Sequence, residues 1–246
     1  MTGNLVKEIK VGDRVGVAWL HQACGHCEFC LIGHETLCKA LQNTGYSVNG
    51  GYAEYIMADA DYAVPLPLSL SFEGAAPILC AGVTSYKALK VADLRAGQWV
   101  AIYGVGELGH MAIEYDLAMG YRVAVVDTDN SRLDLARRLG AEEVINSSQA
   151  DPAQALQTLL GGVQSAIIAS PSANSFEQGV RSLKRDGTCV LVGLTPQSFP
   201  VDIFNMVLNE LTIRGSIVGT RADLLKALEF AATDKVQPVY QTASLD

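Results

Sequence analysis

Beyond Gly97 the apolar residues fall into short solid runs, separated by stretches in which they recur at helical spacing. The solid runs at 99–103, 122–126, 143–145, 166–169, 189–192 and 211–217 predict six strands. The periodic stretches predict helices over 108–119, 131–139, 153–160, 176–183 and 221–232. Apolar strands alternating with amphipathic helices imply a parallel sheet covered on both faces. An apolar stretch at 203–208 falls inside a long loop that runs through Pro196 and Pro200.

The region 11–63 is patterned differently, being Gly-rich and without a long helical period. Gly12-Asp13 ahead of Arg-Val-Gly-Val-Ala, and Gly50-Gly51 ahead of Tyr-Ala-Glu-Tyr-Ile, mark turns feeding short strands, so this part reads as mainly β. At 246 residues and 49% hydrophobic, the chain can bury one core or two. It carries 18 basic against 26 acidic residues, a net charge of -8 with no basic block, which argues against nucleic acid as a partner. No apolar run approaches the roughly 18 residues that cross a bilayer, and the start lacks a signal-peptide core, so the expectation is a cytoplasmic protein.

Four of the six cysteines, Cys24, Cys27, Cys30 and Cys38, crowd into fifteen residues. Such a run can close four thiolates around one zinc ion, a full shell that leaves no place for substrate and is therefore structural. Unligated thiols and an iron-sulfur centre are the alternatives, although the spacing is not that of the common iron-sulfur runs. His21, His26 and His34 lie in or beside this lobe and read as surface groups or neighbours of the ligands. Gly33-His34-Glu35 imitates a catalytic metal motif in composition only, because it sits between the third and fourth thiolates. Cys80 and Cys189 stand alone among apolar residues, as buried thiols commonly do.

Gly104-Val-Gly106-Glu-Leu-Gly109 follows a predicted strand and opens a predicted helix. In that context Gly-x-Gly-x-x-Gly is a dinucleotide fingerprint: a tight turn, a close approach to pyrophosphate, and close packing of helix on sheet. Asp127, 18 residues beyond Gly109, ends the second strand, where a carboxylate accepts from both ribose hydroxyls of NAD and repels the 2'-phosphate of NADP. Arg132 is placed either to reach the adenosine ribose or to face solvent. Glu107 opposes the reading, since an acid turned into a phosphate cradle weakens it while one turned outward costs little. His110 reads as a helix-start residue near the cofactor.

Taken together, these stretches resemble the zinc-containing medium-chain alcohol dehydrogenases, particularly the yeast and bacterial ethanol-active branch. The resemblance rests on Val11-Gly-Asp-Arg-Val-Gly, the four-cysteine lobe, Gly50-Gly-Tyr-Ala-Glu-Tyr, Ala76-Pro-Ile-Leu-Cys-Ala-Gly-Val-Thr-Ser-Tyr, the glycine turn with Asp127, and Arg214-Gly-Ser-Ile-Val-Gly-Thr. It implies an oxidoreductase with a Rossmann-type, doubly wound parallel sheet and a partial GroES-like, mainly β catalytic domain. The expected division is a catalytic domain over 1–81, an NAD domain over 82–235 and a return segment over 236–246. The reaction implied is hydride transfer between a small primary alcohol, or its aldehyde, and NAD, with zinc polarising the alcohol oxygen. By the same resemblance Cys80 matches a ligand of the catalytic zinc, Thr84 packs by the nicotinamide, and Trp19 narrows the substrate pocket. Val192 and Val218 match positions at the nicotinamide end, and the strand 211–218 would extend the sheet into a homo-oligomer. Ahead of the Gly-Asp-Arg-Val stretch the family carries a first catalytic cysteine, a hydroxyl residue of the proton relay and a Gly-His-Glu motif. Of the catalytic zinc's ligands this sequence offers Cys80, so the alternative to a working dehydrogenase is a shortened, inactive chain that binds NAD or pairs with other subunits.

Overall fold

The computed structural model describes residues 1–244, and its first strands are short: β1 (Val15–Val17), β2 (Leu20–Gln22), β3 (Gln42–Asn43) and β4 (Ala63–Pro65). They form two antiparallel pairs, β1 with β4 and β2 with β3. Between β2 and β3 the lobe winds through α1 (Glu28–Leu31) and a single 3-10 turn, Glu35–Leu37. The turn at Gly50-Gly51 feeds no strand, contrary to the sequence pattern. Tyr52, Tyr55 and Met57 stand 96%, 90% and 91% exposed. Among the described residues no strand lies alongside to take up their ladder bonds, and an extended run without a partner gains nothing from its alternation.

Ser71 caps α2 (Phe72–Pro77) by accepting from the Gly74 amide. Pro77 has no amide hydrogen to give, and the chain leaves it through a π-helical turn, Ile78–Gly82, before α3 (Val83–Ala92) begins. The sequence pattern missed α3. Its opening residues, Val83 and Thr84, are β-branched, and the helix follows directly on that turn with no capping residue to announce it.

The alternating region forms one six-stranded parallel sheet. Its members are β5 (Trp99–Tyr103), β6 (Arg122–Asp127), β7 (Glu143–Asn146), β8 (Val163–Ile168), β9 (Leu183–Leu191) and β10 (Thr212–Gly215). Helices α4 (Glu107–Ala118), α5 (Asn130–Leu139), α6 (Pro152–Leu160) and α7 (Ala173–Arg181) connect β5 through β9 in turn. The spatial order β10-β9-β8-β5-β6-β7 reverses direction between β5 and β8, as a Rossmann-type doubly wound sheet does. Val100, Ala101, Ile102 and Tyr103 are wholly buried, which is why β5 reads as a solid apolar run. Helix ends follow local chemistry: Asp151 accepts from the Gln154 amide with Pro152 next in line, and Gly161 closes α6 in the left-handed region. Strand β9 starts at Leu183, taking the last residue expected of helix 176–183, because Ser182 ends α7 by donating its hydroxyl to the Gly179 carbonyl. The apolar stretch expected in a loop is a helix, α8 (Ile203–Leu208), capped by Asp202 on the Asn205 amide.

Tertiary contacts divide the chain into two units, Thr84–Ile217 and Met1–Val83 joined by the chain from Val218 onward. By these contacts the first unit takes up the chain again at Val218. The cause is α9 (Arg221–Ala232), whose Leu224, Ala227, Leu228 and Ala231 are buried and which packs on β4 and the π-helical turn of the first unit. Of the expected return segment, 236–244 carries neither strand nor helix, and Leu245 and Asp246 lie outside the described residues.

Candidate functional site

The lobe after β2 brings Cys24, Cys27, Cys30 and Cys38 together, with all four sulfurs within 4.8 Å of one another. The Cys27 and Cys30 sulfurs are 3.5 Å apart and those of Cys24 and Cys30 are 3.9 Å apart. Tetrahedral zinc with bonds of about 2.3 Å places its thiolates about 3.8 Å from each other, so the donor set fits that ion. Backbone geometry prepares the thiolates. The Cys27 amide donates to Cys24 Sγ at 3.3 Å and the Cys24 amide to Cys38 Sγ at 3.4 Å. The Cys24 thiol is pulled down to about 6, first by the backbone hydrogen bond from His26 and then by that from Cys27. Burial lifts the Cys30 thiol to about 12. Zinc resolves that contrast, since it draws every coordinating thiol into the thiolate form. None of the three nearby histidines belongs to the cluster: His26 and His34 are exposed, and His26 Nδ1 lies 2.8 Å from the Cys24 carbonyl.

Glu35, read from sequence as part of a misleading motif, has a structural task. It is buried between the third and fourth cysteines, where the Arg221 Nε donates to Oε1 at 2.7 Å and the Arg221 amide donates to Oε2 at 3.3 Å. Arg221 also gives Nη1 to the Asp61 carbonyl at 3.0 Å, and its guanidinium lies over the Tyr62 ring at 4.4 Å. Arg221 is the first residue of α9, so the carboxylate meets the positive end of that helix as well as a guanidinium. No local pattern announces this pair, because its members lie 186 residues apart.

The second candidate site opens at the carboxyl ends of β5 and β8, where the strand order reverses. A cleft of about 390 Å³ lies elsewhere, beside Arg221; the one at the switch point is about 300 Å³ and is lined by Gly104, Gly106, Asp127, Arg132 and Ser170, among others. Gly104 takes φ +98° and packs on Ser170. A Cβ on Gly109 would sit 1.8 Å from the Gly104 carbonyl oxygen, whereas one on Gly106 would meet nothing within 4 Å. The turn is thus closed on its inner side and open toward the cleft, as a pyrophosphate cradle requires. Gly109→Ala is expected to destabilise the chain by about 2 kcal/mol, because backbone and not a side-chain tip must yield. A thermal melt measures it, and an unchanged midpoint would contradict the packing described.

Asp127 holds this turn in place. Its Oδ2 accepts from the Val105 amide at 2.7 Å and its Oδ1 from the Asp129 amide at 3.0 Å. Arg132 Nη1 approaches Oδ2 at 3.9 Å, and its side chain is half exposed at the rim. Each carboxylate oxygen keeps acceptor capacity for a ribose hydroxyl. His110 locks the other side of the turn: its amide and its Nδ1 lie 3.2 Å and 2.9 Å from the Gly106 carbonyl oxygen.

The remaining residues singled out from sequence are divided between the two units. Cys80 is exposed on the π-helical turn, and among the described residues no group of three or more metal-ligating side chains includes it. The residues present therefore do not fit a catalytic zinc. Trp19 is half-buried between β1 and β2, Thr84 is buried in α3, and Val192 follows β9 with its amide on the Ile168 carbonyl at 3.1 Å. Val218 takes φ +35°, a strained conformation for a β-branched residue. Cys189, in β9, is fully buried and its thiol is pushed up to about 12 by that burial.

Comparison with known proteins gives a consistent result. Residues 1–68 match the family described as Alcohol dehydrogenase GroES-like domain, and residues 108–233 match Zinc-binding dehydrogenase. Over 241 residues the sequence is 54% identical to an alcohol dehydrogenase of Geobacillus stearothermophilus, a match spanning 98% of this chain and 72% of the relative. An alcohol dehydrogenase of Moraxella sp. (strain TAE123) is 51% identical over 99% of this chain and 72% of its own length. Among solved structures, the alcohol dehydrogenase TADH from Thermus sp. ATN1 gives a TM-score of 0.91 at 26% identity, over 97% of this chain and 71% of that one. The enzyme of the archaeon Aeropyrum pernix gives 0.86 at 30% identity, over 96% and 70%. Among the described residues no helix is long and apolar enough to cross a membrane.

Proposed function

This chain belongs to the zinc-type medium-chain alcohol dehydrogenase family, and from that premise we propose that it is an NAD-binding member with a structural zinc and without a catalytic one assembled from its own residues. The observation that carries the proposal is the ligand count. Among the described residues, Cys24, Cys27, Cys30 and Cys38 form the one group of three or more metal-ligating side chains, and four thiolates close a zinc shell. A catalytic zinc needs three protein ligands and an open position, which Cys80 does not supply.

The nucleotide cleft supports the other half of the reading. Bound there, NAD would supply a hydride acceptor. The chain's own part is to seat the pyrophosphate on the amides after Gly104 and Gly106 and to offer Asp127 to the ribose, with Arg132 at the rim. Val192 and Val218 are assigned by resemblance to the nicotinamide end. Pairing of two copies through β10 belongs to the same reading. That strand is a sheet edge with Thr212, Arg214 and Gly215 exposed, and α8 presents exposed Ile203, Phe204, Val207 and Leu208 in the same unit.

A second reading is alcohol dehydrogenation, the activity that the names of its relatives print, with small primary alcohols, Cys80 as a metal ligand, Thr84 beside the nicotinamide and Trp19 narrowing the pocket all assigned by resemblance. It requires ligands that the described residues do not bring to Cys80. Zinc analysis of purified chain, with an assay of ethanol-dependent NADH formation, separates the two. We expect about one zinc per chain, and NADH binding without turnover. A second zinc with steady turnover would overturn the first reading in favour of the second.

A further inference from the structure

The mouth of the glycine turn carries a charge that works against its occupant. Glu107 is exposed at the first position of α4, directly after Gly106, where the helix presents its unpaired amides and positive end. The turn cannot easily carry this residue aside. The Gly106 carbonyl is held twice by His110, the Gly104 amide donates to the Val126 carbonyl at 2.8 Å, and the Val105 amide is fixed on Asp127. Among the described residues that line the cleft, Arg132 is the one cation, and it already faces Asp127 at 3.9 Å. Arg132 and Asp127 cancel within the lining, and Glu107, one residue beyond the lining Gly106, adds an unopposed negative charge next to the helix end that a diphosphate would approach.

Resting on the reading of this cleft as a dinucleotide site, we propose that Glu107 is a charge brake on diphosphate binding. It offsets the helix end that would otherwise attract the anion, and so sets how tightly the chain holds any ligand bearing a pyrophosphate. Two consequences distinguish this from mere crowding. The brake acts through space, so salt releases it: affinity for a diphosphate ligand rises with ionic strength, the reverse of ordinary anion capture. It also ignores ligands without phosphate.

The test compares wild type with Glu107→Gln, which keeps shape and removes charge, using ADP-ribose and adenosine as probes and calorimetry as the readout. Measurements are made at about 0.01 M and about 1 M salt, where screening lengths are about 30 Å and about 3 Å. We expect Glu107→Gln to bind ADP-ribose about tenfold more tightly at low salt. That gap should close at high salt, with adenosine affinity unaltered. Equal ADP-ribose affinities at low salt, or the same gain for adenosine, overturn the brake while leaving the cleft's assignment intact. Failure of folded wild type and folded variant alike to bind either ADP-ribose or NADH overturns the dinucleotide reading and the brake with it.

Discussion

Replacing Cys38 with serine is expected to reduce zinc from about one per chain to a small fraction and to open the lobe between β2 and β3 to solvent. The reason is the size of what remains without the ion. The lobe's own core is Leu20, Ala23, Cys38 and Tyr62, flanked by Cys24, Cys27, Cys30 and Leu41, and its strands are three and two residues long. So small a cluster cannot offset the conformational entropy of ordering the chain between Gln22 and Gln42. Structural zinc in comparable small sites contributes on the order of 10–16 kcal/mol, which far exceeds any contact the lobe makes otherwise. Cys38 is the informative choice because it is the buried member of the four and the acceptor of the Cys24 amide. Hydrogen exchange across residues 20–44 with metal analysis on the same sample measures both effects. Protection in the nucleotide unit, which has its own sheet and core, should persist. Full zinc occupancy and unchanged protection in Cys38→Ser would mean that the thiolates are not the ligands.

What was legible in the sequence follows from what is local. Strand β5 reads as a strand because four of its residues in succession are wholly buried, so the apolar run is unbroken. The cysteine lobe reads as a metal site because its ligands lie within one short loop, and the glycine turn because Gly104 and Gly109 each answer a steric demand made by the adjoining backbone. What was hidden is either non-local or disguised. The Glu35–Arg221 pair joins opposite ends of the chain, and with it the placement of α9 in the first unit. Helix α3 has no capping signal, since a π-helical turn delivers the chain into it. The run after Gly51 alternates like a strand, but alternation states a preference and not a partner.

Asp116 is the clearest case of disguise, and removing it is expected to stabilise the fold and to flatten its pH dependence. In a helical pattern a carboxylate reads as the solvent side, yet Asp116 is completely buried in α4, among Met111, Ala112, Ile113 and Tyr115. Neither carboxylate oxygen has a hydrogen-bond partner among the described residues. Burial alone drives its carboxyl well above the usual range, so the folded chain holds it protonated where the unfolded chain would release the proton. The sign of the linkage follows. With the folded value raised, its contribution is most favourable below the unfolded value, about pH 4, and declines by about 1.4 kcal/mol per pH unit as pH rises toward the folded value. Asp116→Ala removes the penalty and leaves only a small cavity, worth about 1 kcal/mol, so the variant gains on wild type as pH rises above the unfolded carboxyl's range and overtakes it where the penalty outgrows the cavity. Denaturant unfolding from pH 4 to pH 8 tests this directly. At the acid end the variant should lie about 1 kcal/mol below wild type, and it should gain on wild type as pH rises. Parallel curves, or a variant less stable than wild type at pH 7, would show that Asp116 is held by a compensating group and that its burial costs the fold nothing.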